Sequence, residues 1–169
     1  AGTGMGSSGS FLVALLRALH ACKREHVPPP ALAEEACWIE IDKVGSPVGK
    51  QDQYVAAFGG LTCLAIAPAG TVSASRLPLS AHKLDELRSS LLLFYTGIQR
   101  RSMDILEEQK RDTAQVKGEV VESLHRTKEV GYRVKEALEK GDMERFGLLL
   151  DEHWQVKKRR SAKITGPDI

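Results

Sequence analysis

Cysteine is scarce in this chain. Cys22, Cys37 and Cys63 are the three among 169 residues. They are odd in number, far apart and set among apolar neighbours, which excludes a disulfide framework and a metal-ligand spacing and predicts buried thiols in a reducing, cytoplasmic compartment. An excess of one charge is also lacking. The 24 Lys and Arg face 22 Asp and Glu, and a net charge of +2 is too small to argue for nucleic acid or a membrane surface as partner. The basic cluster Lys157, Lys158, Arg159, Arg160 and Lys163 reads first as a solvated helix end, where the last turn favours cations, and second as a nucleic-acid patch. No apolar run approaches the ~20 residues of a membrane span, and no internal repeat is visible.

What is present begins with Gly2-Thr3-Gly4-Met5-Gly6-Ser7-Ser8-Gly9-Ser10. Glycines at every second position let a backbone pass close to a ligand, and Ser7 and Ser8 offer hydroxyls and a helix start. The run that follows carries Leu12, Leu15, Leu16 and Leu19 at helical spacing. A glycine-rich loop opening a helix aims free N–H groups and the positive end of a dipole at one point, which suits phosphate. A flexible Gly/Ser linker has the same composition, so the loop alone leaves both readings open.

The second informative stretch is Trp38-Ile39-Glu40-Ile41-Asp42, followed by Gly45-Ser46-Pro47-Val48-Gly49-Lys50-Gln51-Asp52-Gln53-Tyr54 and then Phe58-Gly59-Gly60. Together the two stretches resemble the GHMP kinases, the galactokinase, homoserine, mevalonate and phosphomevalonate group of small-molecule kinases. Gly4-Met5-Gly6-Ser7-Ser8-Gly9-Ser10 looks like the phosphate loop of that family, usually Gly-Leu-Gly-Ser-Ser-Ala-Ala. The Gly-Lys-Gln-Asp-Gln-Tyr run resembles most the branch that phosphorylates heptose 7-phosphate, with the fucose kinases nearby. The resemblance implies an α+β GHMP-kinase fold: residues 1–96 as the C-terminal part of an ATP-binding N-terminal domain of the ribosomal-protein-like type, and 97–169 as the incomplete helical start of a C-terminal domain. It further implies a segment of a longer enzyme, roughly its middle half and inactive by itself, without the first strands and the C-terminal glycine-rich motif. ATP and Mg²⁺, a sugar or sugar-phosphate substrate, no nucleic acid and no membrane are the implied partners, and a homo-oligomer is compatible with it.

Phosphoryl transfer needs held phosphates, a magnesium ion and a well-placed hydroxyl more than covalent chemistry from the protein. By the resemblance, Gly4, Met5, Gly6, Ser7, Ser8 and Gly9 cradle the phosphates, a hydroxyl of Ser7 or Ser8 reaches Mg²⁺, and Glu40, a dozen positions before Asp52, supplies its carboxylate; a solvated helix-surface Glu is the bland alternative for Glu40. Asp52 stands where galactokinase-like members carry an aspartate proposed to accept the proton of the substrate hydroxyl; the alternative is an Asx-turn after glycine. Gly9-Ser10 in place of Ala-Ala suggests looser packing at the helix start. Lys50 is read as pairing with Asp52, touching a phosphate, or lying exposed in a turn. His153, Trp154 and Lys157 resemble a run that faces the sugar in the heptose branch, although Trp154 as core with the other two as its rim is the simpler reading. Arg100 and Arg101 suit a substrate phosphate or an ordinary helix start.

Periodicity predicts a first helix from Ser7 or Ser8 to about Glu25, lying under a sheet and stopped by Pro28-Pro29-Pro30, and a second over Ala31 to Asp42. A short helical turn is expected within Gln53 to Phe58, strands at Leu61 to Ala67, Thr71 to Leu77 and Leu91 to Tyr95, and a turn of helix over Leu84 to Ser89. After Gly97 the character shifts to helices with charged outer faces: Ser102 to Arg111; Val120 to Lys140 with Val120, Leu124, Val130, Val134, Ala137 and Leu138 inward; and a last helix with Met143, Phe146, Leu150, Trp154 and Lys157 on one stripe. Gly141-Asp142 reads as a C-cap glycine followed by an N-cap.

Overall fold

The computed structural model describes residues 5–95, 111 and 118–158. Gly4, Arg100, Arg101, Arg159 and the composition shift at Gly97 lie outside these, as does the helix expected over 102–111 except for Arg111. The described chain is mixed helix with one small antiparallel sheet, an α+β composition. It forms two compact units, one ending at Leu77 and the other beginning at Pro78.

In the first unit α1 spans Ser7–Cys22 and α2 Pro29–Cys37. Two of the three prolines open α2 rather than merely stopping α1, because the first helical turn needs no N–H from them. From Trp38–Lys43 the helix widens into a π turn, with Val44 N–H donating to Ile39 O five residues back at 2.9 Å. After the Gly45 to Gly49 turn comes α3, Gln51–Phe58, a full eight-residue helix rather than one turn. Gly59 and Gly60 carry the chain into a hairpin of β1, Thr62–Ile66, and β2, Val72–Arg76, paired Leu64 to Ala74 and Ile66 to Val72 across the turn at Pro68-Ala69-Gly70.

Helix α3 packs between two apolar clusters. Val13, Leu16, Leu32 and Ala36 join α1 to α2, with Ala56 and Ala57 against them. Ala33, Cys37 and Tyr54 form the second, covered by Leu64, Val72 and Ala74 of the hairpin. The expectation that α1 lies under a sheet is therefore corrected: its buried side, Gly9, Val13 and Leu16, packs on α2 and α3, while Phe11, Leu15 and Leu19 are exposed. Cys37 is buried and its thiol is pushed up to about 11, first by burial and then by the nearby Glu34 charge. Cys22 is exposed, contrary to the expectation of three buried thiols.

The second unit holds α4, Ala81–Ser90, α5, Gly118–Lys140, and α6, Met143–Lys158. Ser80 caps α4 by accepting from Lys83 N–H. Gly141 takes φ +79 at the end of α5, and Asp142 Oδ1 accepts from Arg145 N–H at 2.9 Å, so the expected C-cap and N-cap stand side by side. Val130, Ala137 and Leu149 form the core between α5 and α6, with Val134 and Phe146 against it. The inward assignment of Leu124 is corrected, and the stripe expected on the last helix is only partly covered. Leu124 is exposed and its neighbour Ser123 turns in, donating to Val156 O at 3.0 Å. On α6 the buried residues are Leu149 and Val156, whereas Leu150 and Lys157 face out. The strand expected at Leu91 to Tyr95 does not form; the five residues are irregular and all exposed.

Candidate functional site

The site is built where the start of α1 meets the start of α3. Gly6 is the N-cap of α1 and sits at φ +66 and ψ 31, a left-handed conformation that a side chain disfavours. It has no side chain to cap the helix, so the N–H groups of the first turn have no side-chain acceptor at that position, and Ser10 N–H to Gly6 O at 3.0 Å is the first bond of the helix. Met5, Ser7 and Ser8 are exposed around it.

Asp52, in the first turn of α3, lies directly against this loop. A Cβ on Gly6 would come within 3.1 Å of Asp52 Cγ and 3.2 Å of its Oδ2; one on Gly9 would stand 3.0 Å from Asp52 Cβ and 3.2 Å from the backbone N of Gln53. The expectation of looser packing at Gly9 is reversed, since Gly9 is buried and its missing methyl lets α3 approach. Asp52 is a helix residue rather than an Asx-turn, with an exposed carboxylate at the positive end of α1. The return of α2 thus brings together residues 6 and 52.

Glu40 lies on the π turn and is only 8% exposed, so it is no solvated surface carboxylate. Its Oε2 accepts from Gln53 Nε2 at 2.6 Å. Gln53 is 1% exposed, and its Oε1 has no hydrogen-bond partner. Sequence reasoning passed over Gln53; the available signal was that it, with Tyr54, opens the inward side of a helix whose Asp52 points outward.

Lys50 does not pair with Asp52. Its Nζ donates to both oxygens of Glu34, at 3.0 and 2.8 Å, and the Tyr54 hydroxyl donates to Glu34 Oε1 as well. Burial opposes ionisation of Glu34, but the bonds from Lys50 and Tyr54 and the Lys50 charge outweigh it and hold the carboxyl below its ordinary value. Burial, then the bond to Glu34, raises the Tyr54 phenol. The triad lines a cavity of about 510 Å³ with Pro30 and the hairpin turn at Ala69 to Val72.

On α6, His153 and Trp154 are half-buried and Lys157 is exposed, and it is Lys158 Nζ that stands 5.7 Å over the Trp154 ring. A groove of about 1200 Å³ beside α5 and α6 is lined by Glu122, His125, Arg126, Glu129 and Glu152. Its charges are largely matched, Arg126 Nη2 meeting Glu152 Oε1 at 2.5 Å and Arg126 Nη1 meeting Glu129 at 2.8 Å, so it reads as a solvated ion-pair network.

The start of α1 can hold an anion on its amides, beside the exposed hydroxyls of Ser7 and Ser8, while the missing side chains of Gly6 and Gly9 make room for Asp52 and the start of α3. Among the described residues no cluster of three or more His, Cys, Asp or Glu could hold a metal ion alone. A cation bound here would keep waters or phosphate oxygens, as Mg²⁺ does. No described helix is long and apolar enough to cross a membrane.

Comparison with known proteins agrees with the two motifs. Residues 1–60 match the family described as GHMP kinases N terminal domain. A D-glycero-alpha-D-manno-heptose 7-phosphate kinase of Campylobacter jejuni is 27% identical over 168 residues, which cover 99% of this chain and 49% of that protein. The chain thus spans about half the length of this curated relative. Through the family match over its first 60 residues, and through this relative over nearly its whole length, the chain is similar to the GHMP kinases.

Proposed function

We propose that the chain is part of an ATP- and Mg²⁺-dependent small-molecule kinase acting on a sugar or sugar phosphate in the cytoplasm. The observation that carries the reading is the packing of the Asp52 carboxylate against Gly6, at the amide end of α1. Backbone amides from Gly6 to Gly9, with Gly4 and Met5 before them, hold the ATP phosphates. Ser7 or Ser8 and Glu40 would hold Mg²⁺, which when bound neutralises charge on the phosphates. Asp52 orients the attacking hydroxyl and takes its proton late, since the loose transition state asks for little proton transfer. Lys50, bonded to Glu34, shapes the neighbouring pocket rather than reaching a phosphate. In this reading residues 1–96 belong to the ATP-binding domain and 97–169 open the next.

The substrate we infer is the anomeric hydroxyl of heptose 7-phosphate. The Gly49 to Tyr54 run and the 27% identical relative, itself a heptose 7-phosphate kinase, both support it. A substrate already bearing phosphate needs cations remote from the reacting centre, and Arg100, Arg101, Lys157 and Arg159, with His153 nearby in sequence, are the candidates. The test is a side-by-side assay of the full-length protein with ATP on heptose 7-phosphate, free heptose, fucose, galactose and mevalonate. Heptose 7-phosphate should be preferred, with both kcat and KM worsening when its phosphate is removed. Preference for free fucose or galactose would retain a sugar kinase and discard the heptose assignment. Binding of sugar and ATP without turnover would mark a non-catalytic relative.

A further inference from the structure

Glu40 and Gln53 form a buried polar pair next to the glycine loop, and the pair is only half satisfied. Gln53 Nε2 donates to Glu40 Oε2 at 2.6 Å, the Gln53 Oε1 is sealed without a partner, and Glu40 Oε1 has no hydrogen bond among the described residues. A pair serving packing alone would be replaced with advantage by apolar side chains, since the sealed, unmet Gln53 Oε1 opposes folding. Its position is specific. Gln53 follows Asp52 in α3, its backbone N sits against Gly9, and Glu40 rides on the π turn, whose widened backbone aims a side chain differently from an α-helix.

We propose that Gln53 is a positioning residue that clamps Glu40 through Oε2 so that Oε1 is presented to the divalent cation of the phosphate loop. This rests on the kinase reading of the same site. The amide acts through Glu40 and itself touches neither cation nor nucleotide. One side chain thereby ties the carboxylate of the π turn to the helix that carries Asp52, and fixes both relative to Gly9.

The test uses the full-length protein with Gln53→Met, which keeps the length of the side chain and removes the donor. Mn²⁺ binding is followed by electron paramagnetic resonance in the presence of a non-hydrolysable ATP analogue, together with the Mg²⁺ dependence of the rate and the thermal midpoint. Loss of an outer-shell partner weakens metal affinity by about 10- to 100-fold. We expect Mn²⁺ affinity to fall about tenfold, and excess Mg²⁺ to bring the rate back to that of the parent. A lowered thermal midpoint with unchanged Mn²⁺ affinity would overturn the proposal and leave Gln53 a core residue. If Gln53→Met does not fold, the exchange Glu40→Gln with Gln53→Glu keeps one amide–carboxylate bond and moves the charge. A folded exchange variant that still binds Mn²⁺ like the parent overturns the proposal, and one that loses it supports it. A parent that binds nucleotide analogue but no Mn²⁺ overturns the clamp alone, whereas a parent that binds neither removes the kinase reading first.

Discussion

A methyl group at position 9 would have to share space with Asp52, and two opposing terms decide the outcome. Alanine in a helix interior is favoured over glycine by up to about 1 kcal/mol. Overpacking a close contact costs about 1–3 kcal/mol, and here the contact is 3.0 Å to Asp52 Cβ and 3.2 Å to backbone. Gly9→Ala is therefore expected to lower the thermal midpoint and to slow turnover by displacing Asp52, although alanine is the residue the GHMP kinases usually carry in this loop. A variant more stable than the parent would show that α3 backs away freely and that the contact does not fix Asp52.

His20 and Glu34 set a pH window for the first unit. His20 Nε2 meets Glu35 at 2.8 Å and Nδ1 meets Glu25 at 2.6 Å, and these bonds, Glu35 first, raise its pKa above 6.5. Its contribution is full below 6.5 and is lost as pH rises through the folded value. Glu34 is held below 4.5, so its contribution is full above 4.5 and is lost as pH falls through its folded value. Both are complete between 4.5 and 6.5. Denaturant midpoints across pH should fall on each side of that window, and His20→Gln should flatten the alkaline side alone. An unchanged alkaline slope in His20→Gln would place the titrating group elsewhere.

At the scale of elements, helix starts and stops were legible because they are written in side chains that act locally. Ser7 after glycine, Pro28 to Pro30, Gly59-Gly60 and Gly141-Asp142 all mark real boundaries. Facing was less legible. In Leu148-Leu149-Leu150 three equal residues compete for one inward position, and packing against Val130 and Ala137 selects Leu149. The run from Leu91 to Tyr95 has the composition of a strand, but a strand also needs hydrogen-bond partners from elsewhere in the chain, which composition does not encode. Five consecutive exposed apolar residues form a sticky surface. Leu92→Lys with Phe94→Lys should change the folding stability by no more than about 0.5 kcal/mol, as for surface changes in general, while reducing self-association in sedimentation. A large loss of stability would mean that these side chains are packed in solution.

For the molecule as a whole, the candidate site was legible as a set of residues and not as a set of contacts. The glycine loop, Glu40 and Asp52 stand out as candidates from their order along the chain. That Gly9 makes the approach tight, that Lys50 turns to Glu34, and that Gln53 holds Glu40 depend on distances between residues 13 to 44 positions apart, which no local pattern encodes. The proposed mechanism stands on Asp52, beside the loop, orienting the hydroxyl that attacks a bound nucleotide. The most direct measurement is ATP-dependent phosphorylation of heptose 7-phosphate by the full-length protein and by its Asp52→Asn variant, with nucleotide affinity followed in parallel. The account predicts unchanged fold and ATP affinity with kcat lowered about a hundredfold or more, the scale of a lost acid–base group. Turnover of Asp52→Asn equal to that of the parent would contradict it.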